Sequence, residues 1–442
     1  MSKKIIVALG LVAMSYIGAT WFFGVKTEET YGKTIEQMNE QLAGLALPEG
    51  TKVTIVLDSY TRHFFSSDAL LKVNITTQGS EAPGFEYKEH ISHGPLPVSG
   101  LIRGELMPVL ARAQGVLAES QVSQQWFEEI EAKGGLPLTS VTRIGFNARG
   151  KSQIKVLMLN ELAELTPIDI ELNYDLLAHN LEIKGYIAQL HLAKKMARQY
   201  ETDIKNMAWQ LQITGYGGET PKTTLAIKFD QLAVDKKLML NNFEFNASEQ
   251  VKEGLSSFKA SHKIEKILLG EADLGTSYSS LKADNLNITA LTKIATDQAE
   301  QRDVAAFLVP KPSFSVGPNV WESSSGRFVL EADANFILDK KAKGDLITLL
   351  GKFTPKAHLK LSLSRDLVED LLKKQNEFHQ YSAVVDMSFF DDYVAKLQED
   401  ELVVWDGKTV SVDFALDNEQ VTYNKETMGF EDFIISLYTK LR

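Results

Sequence analysis

Leu71-Lys72-Val73-Asn74-Ile75-Thr76 carries an apolar side chain at every second position, and Val53, Ile55 and Leu57 alternate with Lys52, Thr54 and Val56 in the same way. A period of two is the pleat of an extended strand with one face dry and one wet. Working outward, similar runs recur at Ser152 to Leu159, Ile168 to Tyr174, Asn180 to Leu192, Trp209 to Gly215, Thr223 to Leu232, Leu238 to Asn246 and Lys259 to Leu269. Many of them end in polar turns, which predicts a large and mostly antiparallel sheet. Helical spacing returns over Thr292 to Leu308, and Pro310, Pro312 and Pro318 then suggest the main subdivision.

Beyond that point, Phe328, Leu330 and Ala332 read as strand, as do Leu359, Leu361 and Leu363. A helix starts at Leu367 after Ser364, and Ser388-Phe389-Phe390-Asp391 has capping-box spacing before another. Asp391 and Asp392 are expected near that helix N-terminus, where carboxylates favour the dipole. In the last helix Phe430, Phe433, Ile434, Leu437 and Leu441 share one face, which is expected to be core.

The N-terminus has a different character. From Ile5 to Val25 there are 21 residues without a charge, and at ~1.5 Å per residue they cover a hydrocarbon core of about 30 Å. A cleaved signal peptide is the rival reading. The best cleavage candidate, Ile17-Gly18-Ala19, has a bulky residue where a small one is preferred, and Trp21, Phe22 and Phe23 form an interfacial aromatic cluster. Both features favour retention as an anchor. Lys3 and Lys4 precede the span and only Lys26 closely follows it, so charge bias places the N-terminus in the cytoplasm and the body outside. Ile35, Met38, Leu42 and Leu45 then mark a helical connector ended by Pro48-Glu49-Gly50. Its apolar stripe suits docking on the body or pairing with a second chain.

The expected fold class is therefore α+β, mainly β. An N-terminal transmembrane helix precedes a large, mostly antiparallel β-sheet body with peripheral amphipathic helices. The expected divisions are an anchor over 1–25, a helical connector over 26–50, a main β-rich domain over 51–309 and a C-terminal α+β portion over 319–442.

Composition narrows the function. The 442 residues are 44% apolar, which excludes disorder, and the absence of cysteine excludes disulfide scaffolds, thiolate metal sites and cysteine nucleophiles. The net charge of −11 argues against a nucleic-acid partner. Assigning Lys3 and Lys4 to the cytoplasmic side leaves 45 basic against 58 acidic side chains, −13 for the rest, so the body is not drawn electrostatically to anionic headgroups.

Few motifs carry chemistry. Gly145-Phe146-Asn147-Ala148-Arg149-Gly150-Lys151-Ser152 fits the phosphate-loop pattern, but that loop must open a helix, and Gln153 to Met158 alternate like a strand. It reads as a hairpin turn. Glu89-His90-Ile91-Ser92-His93, with His63, has metal-ligating residue types, but positions 90 and 93 of a strand face opposite sides. Ser256-Ser257-Phe258-Lys259 and Ser279-Ser280-Leu281-Lys282 match Ser-x-x-Lys without a Lys-Thr-Gly partner. No metal or cofactor follows from these patterns.

Ser59 to Ser67, His93-Gly94-Pro95-Leu96-Pro97, Thr142-Arg143-Ile144-Gly145, and Val421-Thr422-Tyr423-Asn424 before Glu431-Asp432-Phe433 occur in one ordered set. With it the chain resembles the YdgA family, a bacterial family of unknown function from Gram-negative envelopes. The resemblance runs from the N-terminal anchor to the last helix. It implies an inner-membrane protein facing the periplasm, with no activity to transfer and no call for Lys151-Ser152. The marked positions are Tyr60, Arg62, Phe65, Ser66, Ser67, His93, Gly94, Pro95, Arg143 and Gly145. They suit architecture, with Arg62 binding a carbonyl or carboxylate, Tyr60 packing its ring and Pro95 and Pro97 setting a turn. They equally suit a binding cleft.

The function expected is that of a non-enzymatic, membrane-anchored envelope component acting by binding or scaffolding. Its partners are the inner membrane through the N-terminal helix, and lipids or other envelope proteins, with oligomeric state open. Two alternatives stand beside it. One is lipid carriage in a sheet groove, by analogy with AsmA-like proteins. The other is a periplasmic hydrolase built around Arg62, His90 and His93.

Overall fold

The computed structural model describes residues 51–77, 80–102, 104, 106–120, 123–159, 165–175, 177–193, 200–295, 300–338, 353–378, 387–417 and 419–440, and ten positions between 24 and 39. The expected span over Ile5 to Val25, its last two residues apart, lies outside the described residues, as do Met38, Leu42, Leu45 and Pro48 to Gly50. Among the described residues no helix is long and apolar enough to cross a membrane. Contacts divide the chain into two units, Met1–Leu190 and His191–Arg442.

The first unit is an antiparallel meander of β1 (Thr51–Arg62), β2 (Ser66–Thr77), β3 (Ser80–His93), β4 (Ala111–Leu117), β5 (Leu138–Ile144), β6 (Arg149–Leu159), β7 (Leu165–Asp175) and β8 (Asn180–Leu192), whose last two residues group with the second unit. A one-turn helix α1 (Val98–Leu101) sits in the β3–β4 connection and α2 (Gln124–Glu131) in the β4–β5 connection. Helix α2 buries Phe127 and Ile130, and Trp126 Nε1 donates to the Leu157 carbonyl of β6 at 2.9 Å. Buried Ala69, Ile91, Ala111 and Ala113, with Leu57 and Tyr60, form the core of β1 to β4.

Strand β1 is an edge, and an edge exposes unpaired backbone donors and acceptors. The N-terminal helical segment covers it. Asn39 Nδ2 donates to the Ile55 carbonyl at 2.7 Å, and the Ile55 amide donates to Asn39 Oδ1 at 2.7 Å. One amide side chain thus stands in for a residue of a neighbouring strand. Ile35, the first residue of the connector's apolar stripe, is buried. In this unit the described part of the connector docks on its own sheet.

The second unit is also antiparallel. Strands β9 (Thr202–Thr214), β10 (Lys222–Val234), β11 (Leu238–Lys252), β12 (Leu255–Leu269), β13 (Ala272–Leu286), β14 (Ser313–Glu322), β15 (Arg327–Leu338) and β16 (Phe353–Ser364) pair in sequence order. Strand β16 then pairs with β18 (Thr409–Asp417), which takes β17 (Val404–Trp405) and β19 (Gln420–Tyr423), and β19 pairs with β20 (Glu426–Gly429). Pro310, Pro312 and Pro318, where the sequence suggests a subdivision, lie inside this unit, and the sheet runs on across them through the β13–β14 pairing.

The helices refine three expectations. The period over Thr292 to Leu308 is two helices, α3 (Ile288–Ala295) and α4 (Gln301–Leu308). Helices α5 (Arg365–Phe378) and α6 (Met387–Glu399) form where expected, but Ser388 lies inside α6 rather than at its cap. Asp391 in α6 serves a different purpose from dipole pairing: Arg365 binds it in a fork, Nε to Oδ1 at 2.9 Å and Nη2 to Oδ2 at 2.6 Å, which holds the Asp391 carboxyl below its ordinary range. In α7 (Phe430–Lys440) the described part of the predicted apolar face, which excludes the Leu437 side chain and Leu441, is only partly core. Phe433 packs with Leu416 and Val421, whereas Phe430 and Ile434 are exposed. Helix α7 meets β19 and β20, each four residues long, and so small a platform covers about one turn.

Replacing Asn39 with Leu strands both Ile55 backbone groups. The expected outcome is a loss of roughly 1–3 kcal/mol in denaturant unfolding and faster hydrogen exchange of the Ile55 amide.

Candidate functional site

Cross-strand neighbours of an antiparallel sheet share a face. Tyr60 opposes Ala69, Arg62 opposes Ser67, and Ser67 opposes Ile91, so Tyr60, Arg62, Ser67 and Ile91 lie on one side of β1, β2 and β3, and His93 follows two residues after Ile91. The motif residues of the first and second segments therefore converge. Arg143 opposes Arg112 and Lys151 on the other side, and Gly145 opens the β5–β6 turn. The marked set is two groups, not one site.

At the centre of the first group, Ser67 and His93 are 0% and 1% exposed, and Ser67 Oγ lies 2.8 Å from His93 Nε2. His93 Nδ1 faces the Phe64 carbonyl at 3.4 Å. A carbonyl only accepts, so the network assigns the proton to Nδ1 and has the Ser67 hydroxyl donate to Nε2. The His93 amide donates to the Phe65 carbonyl at 2.9 Å. Burial lowers the His93 pKa below the ordinary histidine value, the Phe64 carbonyl opposes this, and the charges of Arg62, His90 and His63 add to the lowering. Burial likewise raises the neighbouring Tyr60 hydroxyl, against the Ser67 hydroxyl, with Glu28 and Glu89 raising it further and Arg62 opposing.

The lid over this pair is the N-terminal helical segment. Gly24 lies so close to the imidazole that a Cβ there would sit 2.6 Å from His93 Nδ1 and 2.7 Å from Cε1. Real Cβ atoms do not approach so closely, so glycine is what the contact demands. Thr27 is buried, and Glu28 pairs with Arg62 at 3.3 Å. Arg62 thus finds the carboxylate its side chain needs, from the helix. Gly94 is required for another reason: a Cβ would lie 1.9 Å from the Val109 carbonyl oxygen. The Gly94 amide donates to the Leu110 carbonyl at 2.8 Å and the Val109 amide to the Pro95 carbonyl at 2.9 Å, which closes the neck of the β3–β4 loop. Phe65 is half-exposed and meets Phe64 edge-on at 4.8 Å, and the Ser66 carbonyl accepts from the His63 amide at 2.8 Å to close the β1–β2 turn.

The other motifs are used structurally. Asp68 accepts from His90 Nδ1 at 2.7 Å and from His63 Nε2 at 3.1 Å, on the exposed face away from His93. These bonds, that from His90 first, hold the Asp68 carboxyl below its ordinary range. His90 and His93 are on opposite faces, so the cluster imagined around Arg62, His90 and His93 is divided by the sheet. The phosphate-loop match is the β5–β6 hairpin: the Gly145 amide donates to the Arg149 carbonyl at 2.8 Å, Lys151 pairs with Glu171 at 2.6 Å, and buried Ser152 bonds Thr142 at 2.8 Å. Both Ser-x-x-Lys matches lie on strands, and Ser256 Oγ donates to Glu249 at 2.6 Å.

One cluster escapes sequence reasoning. His191, Glu201 and Asp203 bring donor atoms within 4.8 Å of one another. His191 Nδ1 already bonds Asp203 Oδ1 at 2.7 Å, and Lys236 Nζ lies 3.8 Å from Glu201. Nothing in a ten-residue spacing between isolated residues signals this meeting.

The signature of a bacterial protein family of unknown function, DUF945, matches residues 1–431. The chain belongs to the DUF945 family. It is 22% identical to protein YdgA of Escherichia coli K12, over 97% of this chain and 94% of that protein. An uncharacterized protein of Haemophilus influenzae is 25% identical over 35% of this chain and 42% of its own length, and the uncharacterized E. coli protein YihF is 25% identical over 34% and 32%. No solved structure matches. The DUF945 match bears out the resemblance carried by the ordered motifs.

Two outcomes follow for the His93 lid. Gly24→Ala forces the ring or the helix to move, and thermal unfolding should shift downward with increased proteolysis between positions 24 and 50. Because folding lowers the His93 pKa, its contribution to stability is complete above the ordinary histidine value of about 6.5 and is lost as pH falls from there toward the folded-state value. Unfolding followed against pH should show this acid-linked loss in the parent and a flatter profile in His93→Gln, with Asp68 adding a separate loss at carboxylate pH in both.

Proposed function

We propose that this DUF945 protein is a single-pass inner-membrane protein whose N-terminus is cytoplasmic and whose body faces the periplasm, acting there without catalysis by binding or scaffolding. The observation that carries this reading is the clamp on the helix that continues the uncharged segment. Gly24 against His93, Glu28 against Arg62 and Asn39 against Ile55 tie that helix to the first sheet at three levels. Cleavage at Ile17-Gly18-Ala19 would leave these contacts in place, so retention rests on the bulky Ile17 and the Trp21–Phe23 cluster, and the clamp gives a retained anchor a fixed seat on the body.

What supports a non-enzymatic role is the state of the one serine–histidine pair in the motif. Ser67 is wholly buried and His93 is covered by Gly24, so a substrate carbonyl has no path to the hydroxyl. The pair has the distance of a nucleophile and base but the environment of a core hydrogen bond.

A second reading, binding of a hydrophobic ligand, draws on the second unit. Trp209, Leu211, Leu225, Ile227, Phe243 and Phe245 share one face of β9 to β11 and are only half-buried. A concavity of about 570 Å³ lies on the opposite face of this sheet, with Gln210, Thr224, Asn246 and Lys259 in its lining, and is separate from that apolar face.

Fractionation of Gram-negative cells expressing the chain with a C-terminal tag tests the first reading. The protein should resist alkaline carbonate extraction, and the tag should be cleaved by protease in spheroplasts and spared in intact cells. Recovery in the soluble fraction or a protected tag would overturn it. Lipid co-purifying with the parent but lost in Phe245→Asp would favour the second reading.

A further inference from the structure

In a meander, alternate connections fall at the same end of the sheet. In the first unit the β1–β2, β3–β4, β5–β6 and β7–β8 connections share one end, and Gly24 is at that end because it lies against His93, the last residue of β3. The helical segment runs from there along the sheet to Asn39 beside Ile55, so Gly24, its first described residue, lies at the end where these four tips gather.

The tips are apolar. Phe64 and Phe65 occupy the first and Phe146 the third, each about half exposed, while the second presents Ile102 at 81%, Leu106 at 74% and Met107 at 82%, and the fourth Leu177 at 75%. Seven of the ten large apolar side chains exposed among the described residues of this unit are therefore at one end. Scattered exposure needs no explanation, but apolar side chains gathered at one end of a sheet mark a contact surface. Of its acidic neighbours, Glu28 pairs with Arg62 and Asp175 with Arg149 at 2.7 Å, and Asp68 bonds His63 and His90.

We infer that these hairpin tips dip into the outer leaflet of the same bilayer that holds the uncharged run preceding Gly24, so that the first unit stands on the membrane rather than hanging from one helix. The inference rests on the anchor reading above. The partner is a lipid surface because Trp21, Phe22 and Phe23, an interfacial type of cluster, immediately precede Gly24 in the sequence, and Gly24 lies at the end that carries Phe64, Phe65 and Phe146. The contact is apolar insertion into the headgroup and upper acyl region, consistent with the acidic balance of the body.

The chain has no cysteine, so single labels can be placed on the full-length protein without altering a background thiol. Ile102→Cys, Met107→Cys, Phe146→Cys and Leu177→Cys, each at an exposed position, are labelled with an environment-sensitive fluorophore and reconstituted into phosphatidylethanolamine–phosphatidylglycerol vesicles containing a shallow lipid-borne quencher. Leu136→Cys at the opposite end and Ala13→Cys in the anchor are controls. The expected result is about two-fold quenching at the tips, none at Leu136, and quenching of the Ala13 label by a deep quencher. Tip labels that behave like Leu136 while Ala13 is quenched overturn the inference and leave the anchor standing. An unquenched Ala13 label overturns the anchor and this inference with it. Tip labels shielded from aqueous iodide but untouched by the lipid quencher point to a protein partner and also overturn it.

Discussion

Antiparallel register across β1, β2 and β3 is the constraint from which the first unit follows. It puts Tyr60, Arg62, Ser67, Ile91 and His93 on one face, brings the end of β3 beside the β1–β2 turn, and leaves β1 as an edge. A one-residue slip would send Ser67 and His93 to the solvent face and Asp68 and His90 to the core, where an unpaired carboxylate is costly. The buried serine–histidine hydrogen bond and the exposed His63–Asp68–His90 bridge therefore specify the same register from opposite sides of the sheet.

That register also prepares the seat for the helix. A sheet edge and a buried imidazole both need covering, and one segment covers both. Asn39 completes the backbone bonds of Ile55, while Gly24 permits close approach to His93 and Glu28 neutralises Arg62. The physical consequence is mechanical. A helix fixed at points along about 15 residues, roughly 22 Å at ~1.5 Å per residue, transmits the position of whatever precedes it to the sheet.

Much of this was legible beforehand, and the reasons differ by element. Long strands such as β8 and β11 announce themselves because period two runs over Asn180 to Leu192 and Leu238 to Asn246, the pattern of a half-buried strand. The phosphate-loop match at Gly145 to Ser152 was readable as a turn from the alternation that follows it. The marked motif residues could be collected but not sorted: Tyr60, Ser67 and His93 meet, while Arg143 lies across the sheet. The last helix was over-read, since periodicity reports which residues could face a core and says nothing of how wide that core is. Phe433 has a platform, and Phe430 and Ile434 do not.

From the sequence alone come the strands, the uncharged run before Gly24 and the family, because periodicity, charge and ordered motifs are local properties of the chain. Which side chains become neighbours is not local. The Ser67–His93 pair spans 26 positions, the Arg365–Asp391 fork another 26, and the tips that gather Phe64, Met107, Phe146 and Leu177 more than a hundred. Those meetings depend on strand order and register, which are settled by the energy of packing the whole sheet, and only the tertiary structure decided them.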